Sequence, residues 1–586
     1  MLTSMRTPQL TSMAAAMPDA SLRRGALTLT AAGMFDFALQ LLLPVALVRL
    51  LPAPAFADYR LAWLAIGAAM ALAPLGLPRS LFYFLPRAGA AERAVHVRNT
   101  MLLLLLSGAC AGLLFGPWNS VLPTSLRGIA GAAWFLPAFL TLWVAASLAE
   151  FLPSARGDVG RQARLIVALA VLRVAAIALA ALWGRVELVF AALVAYAAFK
   201  LALVVGEVRR QDTDVDPARS DGCGGPPPPP PPPSAHESLL RTQLAYALPF
   251  GMAGALFLLR GQADQWVAAA LFPPAAFAAF SIGAVIMPLV ALVRTSVANA
   301  IGARLSALEA RRDVAGMLGL NQRANLAVAF VLLPVLVLTA VLAAHIVALV
   351  YTSAFLAAAA VMRVNCLALL GVAVEVSTLT LVLNQGRYLL AADALLLPLG
   401  LAAGIGGAVL WGLPGAALGN LLTLGAGNAF SFWRVARATG VPLRRLQRWG
   451  ALLRILACAL AAAVPALLLL HAGMWDAALH AASPCAAAAD ATLNATLNAV
   501  SVHLGLGDAP SPLLHTALVG APPSAALAAP PMSMAPGSAS RLEAVLAAAL
   551  YTLAYLLLLR GAGLLAEARS LLGWRAPSCR TAAGEA

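Results

Sequence analysis

Long apolar runs recur along nearly the whole chain, and they constrain its fold more than any other feature. Fourteen runs approach or exceed the roughly 20 residues that a helix needs to cross a bilayer. Of the 586 residues, 62% are hydrophobic and 11% are charged, whereas a soluble domain averages about 25% charged residues. The runs are continuous rather than alternating, which favours helices over a β-barrel. The sequence therefore predicts an all-α polytopic membrane protein with about 14 transmembrane helices.

The predicted helices form groups of six, six and two. The first six lie near 26–50, 61–84, 100–119, 129–152, 163–184 and 187–206. The other eight lie near 241–271, 275–300, 322–350, 360–383, 388–410, 412–433, 449–472 and 543–562. We therefore expect a tail at 1–25, a first bundle at 26–206, a proline-rich linker at 207–240, a second bundle at 241–440, and a C-terminal part at 441–586 with a loop near 475–541.

Basic residues lie mainly in alternate loops between the apolar runs. Most of the arginines that lie between apolar runs are in four loops, near 87–98, 156–164, 304–323 and 434–448. Because positive loops stay on the cytoplasmic side, both termini are predicted to be cytoplasmic. The net charge of +15 thus reflects membrane topology, and no nucleic-acid partner is expected. The six cysteines form no CxxC pair, so neither a metal site nor a disulfide framework is predicted.

A short stretch occurs twice and indicates an internal duplication. LPAPAFADYRLA at 51–62 aligns without gaps with FPPAAFAAFSIG at 272–283, 221 positions later. Each copy follows the first predicted helix of its group of six. With an even number of helices per group, both copies face the same side of the membrane. The sequence therefore predicts two six-helix bundles that are parallel repeats, related by a pseudo-twofold axis along the membrane normal.

The residues of the repeat predict a rigid corner between two helices. Its prolines should end the first helix of each bundle, because proline cannot continue the helical hydrogen bonding. The loop that follows should place the aromatic pairs Phe56 with Tyr59 and Phe277 with Phe280 at the membrane interface, where aromatic rings anchor well. A rigid corner would let each bundle move as a unit.

Charged residues inside the predicted helices are the candidate site residues, because a charge at the bilayer centre is costly and usually faces the bundle interior. Four arginines are candidates for binding an anionic substrate: Arg79, Arg173, Arg260 and Arg294. Four polar residues are candidates for coupling to H⁺ or Na⁺: Asp36, Gln40, Asp264 and Glu375, with Asp393 a further carboxylate in these helices. No cofactor or metal is expected.

Spacing suggests how some of these residues pair. Arg260 and Asp264 are four residues apart, which predicts an ion pair on one helix face. Asp36 and Gln40 share a face in the same way, so Asp36 has three open readings: a coupling residue, a packing hydrogen bond, or a counter-ion for an arginine. Arg79 and Arg294 lie in the second helix of each bundle and could bind one anionic group together, or could simply snorkel to the headgroups.

Other polar residues in the apolar runs have structural interpretations. Asn420 and Asn428 are expected to join helices by hydrogen bonds. The glycines of GIGGAVLWG are expected to allow close helix packing rather than to bind a nucleotide. No phosphate-binding GxxxxGK[ST] sequence occurs, so ATP is not expected to drive the protein directly.

Four segments resemble a known family. They are RLLPAPAFADYRLAWL, GLPRSLFYFLPR, ALPFGMAGALFLLRGQADQWVAAALFPPAAFAAFSIG and VLNQGRYLLAADALLLPLGLAAGIGGAVLWGLPGAALGNLL. Over about residues 25–440 the chain is similar to polysaccharide (O-antigen and exopolysaccharide) flippases of the multidrug/oligosaccharidyl-lipid/polysaccharide exporter superfamily. The resemblance implies a bacterial inner-membrane protein that moves undecaprenyl-diphosphate-linked oligosaccharides for surface polysaccharide or lipopolysaccharide synthesis. Arg79 and Arg294 could together receive the diphosphate of such a substrate. The resemblance also implies polysaccharide polymerase and assembly proteins as partners.

Two other functions remain open from the sequence. A lipid II flippase or a drug/cation antiporter of the same superfamily would have the same architecture, but an antiporter should carry an excess of acidic residues inside the membrane. A polysaccharide polymerase or ligase should carry catalytic arginines or histidines in a large external loop. The loop near 475–541 contains His480, His503 and His515 but only one arginine, Arg541, and an enzyme would leave the internal duplication unexplained. No catalytic constellation is apparent, so the chain is not expected to be an enzyme.

Overall fold

The computed structural model describes residues 20–87, 89–156, 158–214, 233–471 and 538–572. Every regular element in these ranges is helical, and twelve helices are long and apolar enough to cross a membrane. This confirms the predicted all-α polytopic fold. Most of the predicted tail at 1–25, the middle of the predicted linker at 207–240 and nearly all of the loop near 475–541 lie outside the described residues.

The helices of the first part of the chain follow the predicted order. Their bounds are α1 Ala20–Leu50, α2 Ala53–Leu72, α3 Leu77–Phe84, α4 Ala90–Leu114, α5 Thr124–Arg127, α6 Ala132–Ala146, α7 Leu152–Ala155, α8 Val159–Ala181 and α9 Val186–Asp214. One compact unit consists of the described residues in 1–47, 69–119 and 130–254. We call it unit 1.

The remaining helices complete the chain. Their bounds are α10 Pro233–Arg260, α11 Ala263–Leu271, α12 Pro274–Gly283, α13 Ile286–Ala310, α14 Val314–Val341, α15 Ala343–Ile346, α16 Ala358–Val372, α17 Ser377–Val382, α18 Gly386–Ala416, α19 Leu418–Thr439, α20 Leu443–Leu446, α21 Trp449–His471, α22 Ser538–Gly561 and α23 Leu565–Leu572. The second compact unit, unit 2, consists of residues 48–68, 120–129 and the described residues from 255 onward.

Two of the fourteen predicted helices are not among the twelve long apolar ones. The tenth is the short helix α16, whose 15 residues are followed by a break and then by α17. The twelfth is α19, which is 22 residues long but carries polar side chains such as Asn420 and Asn428. Both segments are nevertheless helical, so each of the fourteen predicted helices lies largely on helical residues of the structure.

The two copies of the repeat have the same backbone geometry. In each, two residues separate one helix from the next, and the second of these residues is Pro52 or Pro273. The carbonyl of that proline accepts the first helical hydrogen bond, from the amide of Phe56 or Phe277, and both bonds measure 3.0 Å. The prediction that the prolines end the first helix is confirmed. The prediction that the rest of each copy forms a loop is wrong, because it begins α2 and α12.

The aromatic residues of the repeat are buried inside the protein. Phe56, Phe277 and Phe280 are 0% exposed, and Tyr59 is 3% exposed. The expectation that these rings anchor at the membrane interface is therefore wrong. The break between the helices is so short that the rings lie within the packed protein, where the Phe56 ring meets that of Phe355 with centroids 5.7 Å apart.

One contact joins equivalent positions of the two copies within unit 2. Arg60 and Ser281 are 221 residues apart and both occupy the tenth position of the repeat. The Arg60 Nε donates to Ser281 Oγ at 2.8 Å, and Nη2 donates to the Ser281 carbonyl at 3.2 Å. A contact between equivalent positions is what an internal duplication about a two-fold axis beside them would produce. The contact therefore agrees with the predicted duplication.

Close packing of α18 and α19 depends on glycine. A β-carbon on Gly407 would lie 2.2 Å from the carbonyl oxygen of Gly415, and one on Gly419 would lie 2.3 Å from that of Gly400. Gly412, between them, has φ 65° and ψ −143°, which permits the sharp bend. These glycines let two helical segments approach closely, as predicted from the sequence.

The C-terminal helix α22 packs on α14 at a proline. Pro334 lies inside α14 and cannot donate to the carbonyl of Phe330, four residues earlier. The hydroxyl of Tyr555 donates to this carbonyl at 3.2 Å, and that of Tyr551 donates to the Pro334 carbonyl at 2.9 Å. The two tyrosines thus satisfy backbone groups that would be costly in a membrane.

The glycine packing predicts different results for two adjacent substitutions. Gly407→Ala should reduce stability by about 1–3 kcal/mol, because the added methyl group overpacks the contact with Gly415. Gly406→Ala should leave stability unchanged or raise it slightly, since nothing lies within 4 Å of a β-carbon there. Thermal unfolding of the detergent-solubilised variants measures both effects. Equal losses in the two variants would contradict the described packing.

Candidate functional site

The candidate site in unit 2 lies where a membrane helix is interrupted. Helix α16 ends at Val372 and α17 begins at Ser377, so the helix is interrupted at residues 373–376. Irregular backbone at membrane depth is tolerated only where other protein groups or water satisfy it. Interrupted helices are also where membrane transporters commonly form their binding sites.

Side chains from three neighbouring helices satisfy this interrupted backbone. Asn428 of α19 donates to the carbonyls of Gly371 and Val374 at 2.7 and 2.8 Å. Arg294 of α13 donates to the Ala373 carbonyl at 2.9 Å. Asn325 and Asn321 of α14 donate to the Glu375 carbonyl at 2.8 and 3.4 Å. The break is therefore a defined structure held by polar side chains.

Arg294 is at the centre of this site. Its Nη2 lies 2.6 Å from Glu375 Oε1, and its Nη1 also donates to Asn325 Oδ1 at 3.2 Å. Ser377 donates to the same Glu375 oxygen at 2.9 Å. The Arg294 side chain is 11% exposed and that of Glu375 is 21% exposed. The Nε of Arg294 is buried and has no hydrogen-bond partner in the described part of the chain, so it remains an open donor.

A second ion pair in unit 2 joins Arg260 to Asp393 of α18, with Nε and Oδ1 2.8 Å apart. The predicted pair between Arg260 and Asp264 is wrong. Helix α10 ends at Arg260, and Gly261 and Gln262 form a turn before α11 begins. The helical spacing of four residues therefore does not apply across this break, and Arg260 pairs with a carboxylate from another helix.

Asp264 is buried, and among the described residues it forms no ion pair. It is 2% exposed, and its Oδ1 accepts a hydrogen bond from the Gln265 amide at 2.9 Å. Its Oδ2 has no hydrogen-bond partner among the described residues. A buried carboxylate with an open oxygen is expected to hold a proton or to accept a cation, because an uncompensated charge is costly there. This agrees with the chemistry proposed for Asp264 from the sequence, although its role in coupling stays a prediction.

In unit 1, Asp36 forms a small cluster with Gln40 and Arg173. The Nη2 of Arg173 lies 2.7 Å from Asp36 Oδ1, and Gln40 Nε2 donates to Asp36 Oδ2 at 2.8 Å. The expected proximity of Asp36 and Gln40 is confirmed. Asp36 is also the partner of Arg173, which the sequence did not identify. Of the three interpretations of Asp36, the one as a counter-ion for an arginine therefore agrees with the structure.

Arg79 has a different environment. It lies on the exposed side of α3, after the turn at Leu75 and Gly76 in which both residues have positive φ. Arg79 belongs to unit 1 and Arg294 to unit 2. That these two arginines receive a diphosphate together stays a prediction.

The structure thus assigns one carboxylate to each of three candidate arginines: Asp36 to Arg173, Asp393 to Arg260 and Glu375 to Arg294. The sequence did not identify Asn321, Asn325 and Ser377 as parts of a site. The two asparagines are four residues apart in α14 and are both 3% exposed. Their spacing of four residues could have indicated a polar site from the sequence, because it places both amides on one helix face.

Comparisons with known proteins show the fold. No protein-family model and no curated protein matches the chain. Among solved structures, the chain is similar to the lipid II flippase MurJ in its inward closed conformation, with a TM-score of 0.57 and 11% identity over 92% of this chain and 99% of that chain. This likeness shows that the chain has the fold of a known multi-pass membrane protein over nearly its whole length.

Two weaker likenesses are to transporters. One is an inward-facing multidrug resistance MATE family transporter of the MOP superfamily, with a TM-score of 0.48 and 13% identity over 69% of this chain and 96% of that chain. The other is a variant of the MATE transporter VcmN from Vibrio cholerae, with a TM-score of 0.48 and 15% identity over 73% of this chain and 99% of that chain.

The ion pair at the interrupted helix predicts non-additive effects of substitution. Arg294→Gln or Glu375→Gln alone should destabilise the protein by about 3 kcal/mol, because each leaves one charge without its partner. The double variant should recover most of this loss, since two amides keep hydrogen bonds without a net charge. Urea or thermal unfolding of the four proteins in detergent measures the coupling. Additive losses would contradict the described pair.

Proposed function

We propose that this protein is a transporter that moves an undecaprenyl-diphosphate-linked oligosaccharide across the bacterial inner membrane by alternating access. The observation that carries the proposal is Arg294, a nearly buried guanidinium with an open Nε donor at an interrupted membrane helix. A diphosphate needs such a cation, because its charges cannot cross hydrocarbon without compensation. Its lipid tail can remain in the bilayer while the head group crosses.

Exchange of partners is the step that we propose for this site. Glu375 occupies one side of the Arg294 guanidinium, with Nη2 and Oε1 2.6 Å apart. A phosphate oxygen can take the donors that Glu375 accepts, because arginine binds phosphate and carboxylate with the same fork-like geometry. Glu375 would then take up a proton or move toward Ser377, which already donates to it. Release of the phosphate restores the ion pair.

Coupling to H⁺ or Na⁺ would use the internal carboxylates, with no further cofactor. Glu375 changes partner in the proposed exchange, and Asp264 has an open buried oxygen. Asp36 is the counter-ion of Arg173 and is held by Gln40. We assign Arg260 and Arg173 to the substrate path for the same reason as Arg294, since each cation pairs with one exchangeable carboxylate.

The orientation of the protein in the membrane and its protein partners are also part of the proposal. We place both termini in the cytoplasm because the arginine-rich loops alternate along the chain. Polysaccharide polymerase and assembly proteins are the expected partners, and the protein is not expected to be an enzyme. The loop that a polymerase or ligase would need for catalysis contains one arginine.

A lipid II flippase is the second candidate, and the fold shared with MurJ favours it. Lipid II has the same anionic diphosphate and lipid tail as other undecaprenyl-linked glycans, so the Arg294 site fits both substrates. A drug/cation antiporter fits less well, because three internal carboxylates are already neutralised by arginines. The three candidates predict different consequences of losing the gene.

A deletion strain should distinguish these functions. We expect loss of surface polysaccharide together with accumulation of lipid-linked repeats in the inner leaflet, because synthesis would continue without export. Glycan staining and accessibility of the lipid-linked repeats to external enzymes measure this. Rescue of a strain depleted of MurJ would instead support lipid II transport, whereas normal glycan with increased drug sensitivity would support the antiporter.

Substitution at Arg294 should separate folding from transport. Arg294→Gln combined with Glu375→Gln should fold but should reduce translocation of the lipid-linked oligosaccharide by about 10- to 100-fold, because charge-assisted hydrogen bonds contribute about 1.5–3 kcal/mol. The matched control is Arg363→Gln in α16, an exposed arginine whose Nε donates to the Ala340 carbonyl. Translocation in proteoliposomes measures the effect. Normal transport by the double variant would remove Arg294 from the substrate path.

A further inference from the structure

A cavity in unit 2, separate from the site around Arg294, lies between the end of α13 and the beginning of α14. Its volume is about 440 Å³, and its lining includes Arg304, Leu308, Arg311, Gly316, Gly319 and Arg323. This volume is within the range of about 300–1,000 Å³ that is typical of small-molecule sites. None of these residues belongs to the site around Arg294, so the cavity is independent of the proposed transport step.

The three arginines of this cavity are not neutralised by the protein. Within the described ranges, none of them has a carboxylate within 4.0 Å. Asp313 is nearby but caps α14, where its Oδ1 accepts a hydrogen bond from the Gly316 amide at 2.8 Å. Three like charges around one cavity repel each other, and an anion among them would relieve that repulsion.

The cavity lies at the end of a candidate membrane span. The span that precedes it ends at Gly302, two residues before Arg304. Helix α14 has 28 residues and is about 42 Å long, which exceeds the roughly 30 Å of a hydrocarbon core, so its ends can extend into the headgroup region. Arginines near such a helix end can reach phosphates at the membrane surface without burying their charge in hydrocarbon.

We propose that this cavity binds a phosphate group, carried by an anionic phospholipid headgroup or by a phosphate ion from solution. Arginine forms paired, charge-assisted hydrogen bonds with phosphate oxygens. Basic pockets between membrane helices recognise anionic headgroups by the same chemistry. Gly316 and Gly319 line the cavity without side chains and leave space for the ligand. The two sources differ only in what the phosphate is attached to.

Binding to the purified full-length chain in a non-ionic detergent tests this proposal. The probes are dioctanoyl phosphatidylglycerol, dioctanoyl phosphatidylcholine as the zwitterionic comparison, and inorganic phosphate at constant ionic strength. Replacing Arg304, Arg311 and Arg323 together by glutamine should weaken binding of the anionic probe by about 100-fold, since each arginine contributes about fivefold. Arg311→Gln alone should weaken it by about fivefold, which keeps the test valid if the triple variant does not fold.

The matched control is Arg312→Gln. Arg312 follows Arg311 directly in the sequence but does not line the cavity, so its substitution should leave the dissociation constant unchanged. Binding of phosphatidylglycerol without binding of inorganic phosphate would identify the lipid as the source. Binding of both would mean that the phosphate group itself suffices. The proposal is overturned if neither probe binds more tightly than phosphatidylcholine, if the triple variant binds normally, or if Arg312→Gln and Arg311→Gln have equal effects.

Discussion

Compensation of charge inside the membrane is the constraint on which the functional part of this structure depends. An isolated guanidinium or carboxylate is costly in hydrocarbon, and the protein pairs Arg173 with Asp36, Arg260 with Asp393 and Arg294 with Glu375. Two of the pairs join one helix to another, and the third joins α13 to Glu375 in the break between α16 and α17. The pairs therefore connect separate segments of the chain and at the same time keep cations inside a largely apolar fold. A substrate phosphate can compete for such cations because it offers the same kind of oxygen acceptor as a carboxylate.

Backbone interruption and charge occur together in unit 2. The break between α16 and α17 exposes carbonyl groups, and Arg294, Asn325 and Asn428 satisfy them. Arg260 lies directly before another break, between α10 and α11. Arg294 binds both a backbone carbonyl of the break and the Glu375 carboxylate. A change of partner at Arg294 would therefore also change the hydrogen bonds that stabilise the break between α16 and α17. In the proposed exchange, binding of a phosphate would thus be coupled to movement of a helix, as alternating access requires.

Much of the fold could be predicted from the sequence, because apolar runs and proline positions are local signals. The helical class, the segment order and the ends of α1 and α11 at Pro52 and Pro273 follow from them. The pairing of charges could not be predicted, since it depends on which helices become neighbours. The pair expected between Arg260 and Asp264 failed because a turn after Arg260 removes the helical spacing. The break at residues 373–376 contains no proline or glycine. Its position therefore could not be predicted from helix-breaking residues.

The exchange of Glu375 for a phosphate at Arg294 is the central claim, and an experimental structure with a bound lipid-linked diphosphate tests it most directly. The account predicts a phosphate oxygen within hydrogen-bonding distance of the Arg294 guanidinium. It also predicts that the distance from Nη2 to Glu375 Oε1 increases from 2.6 Å to beyond ion-pair range. A diphosphate bound elsewhere, with the Arg294–Glu375 pair intact, would contradict the account.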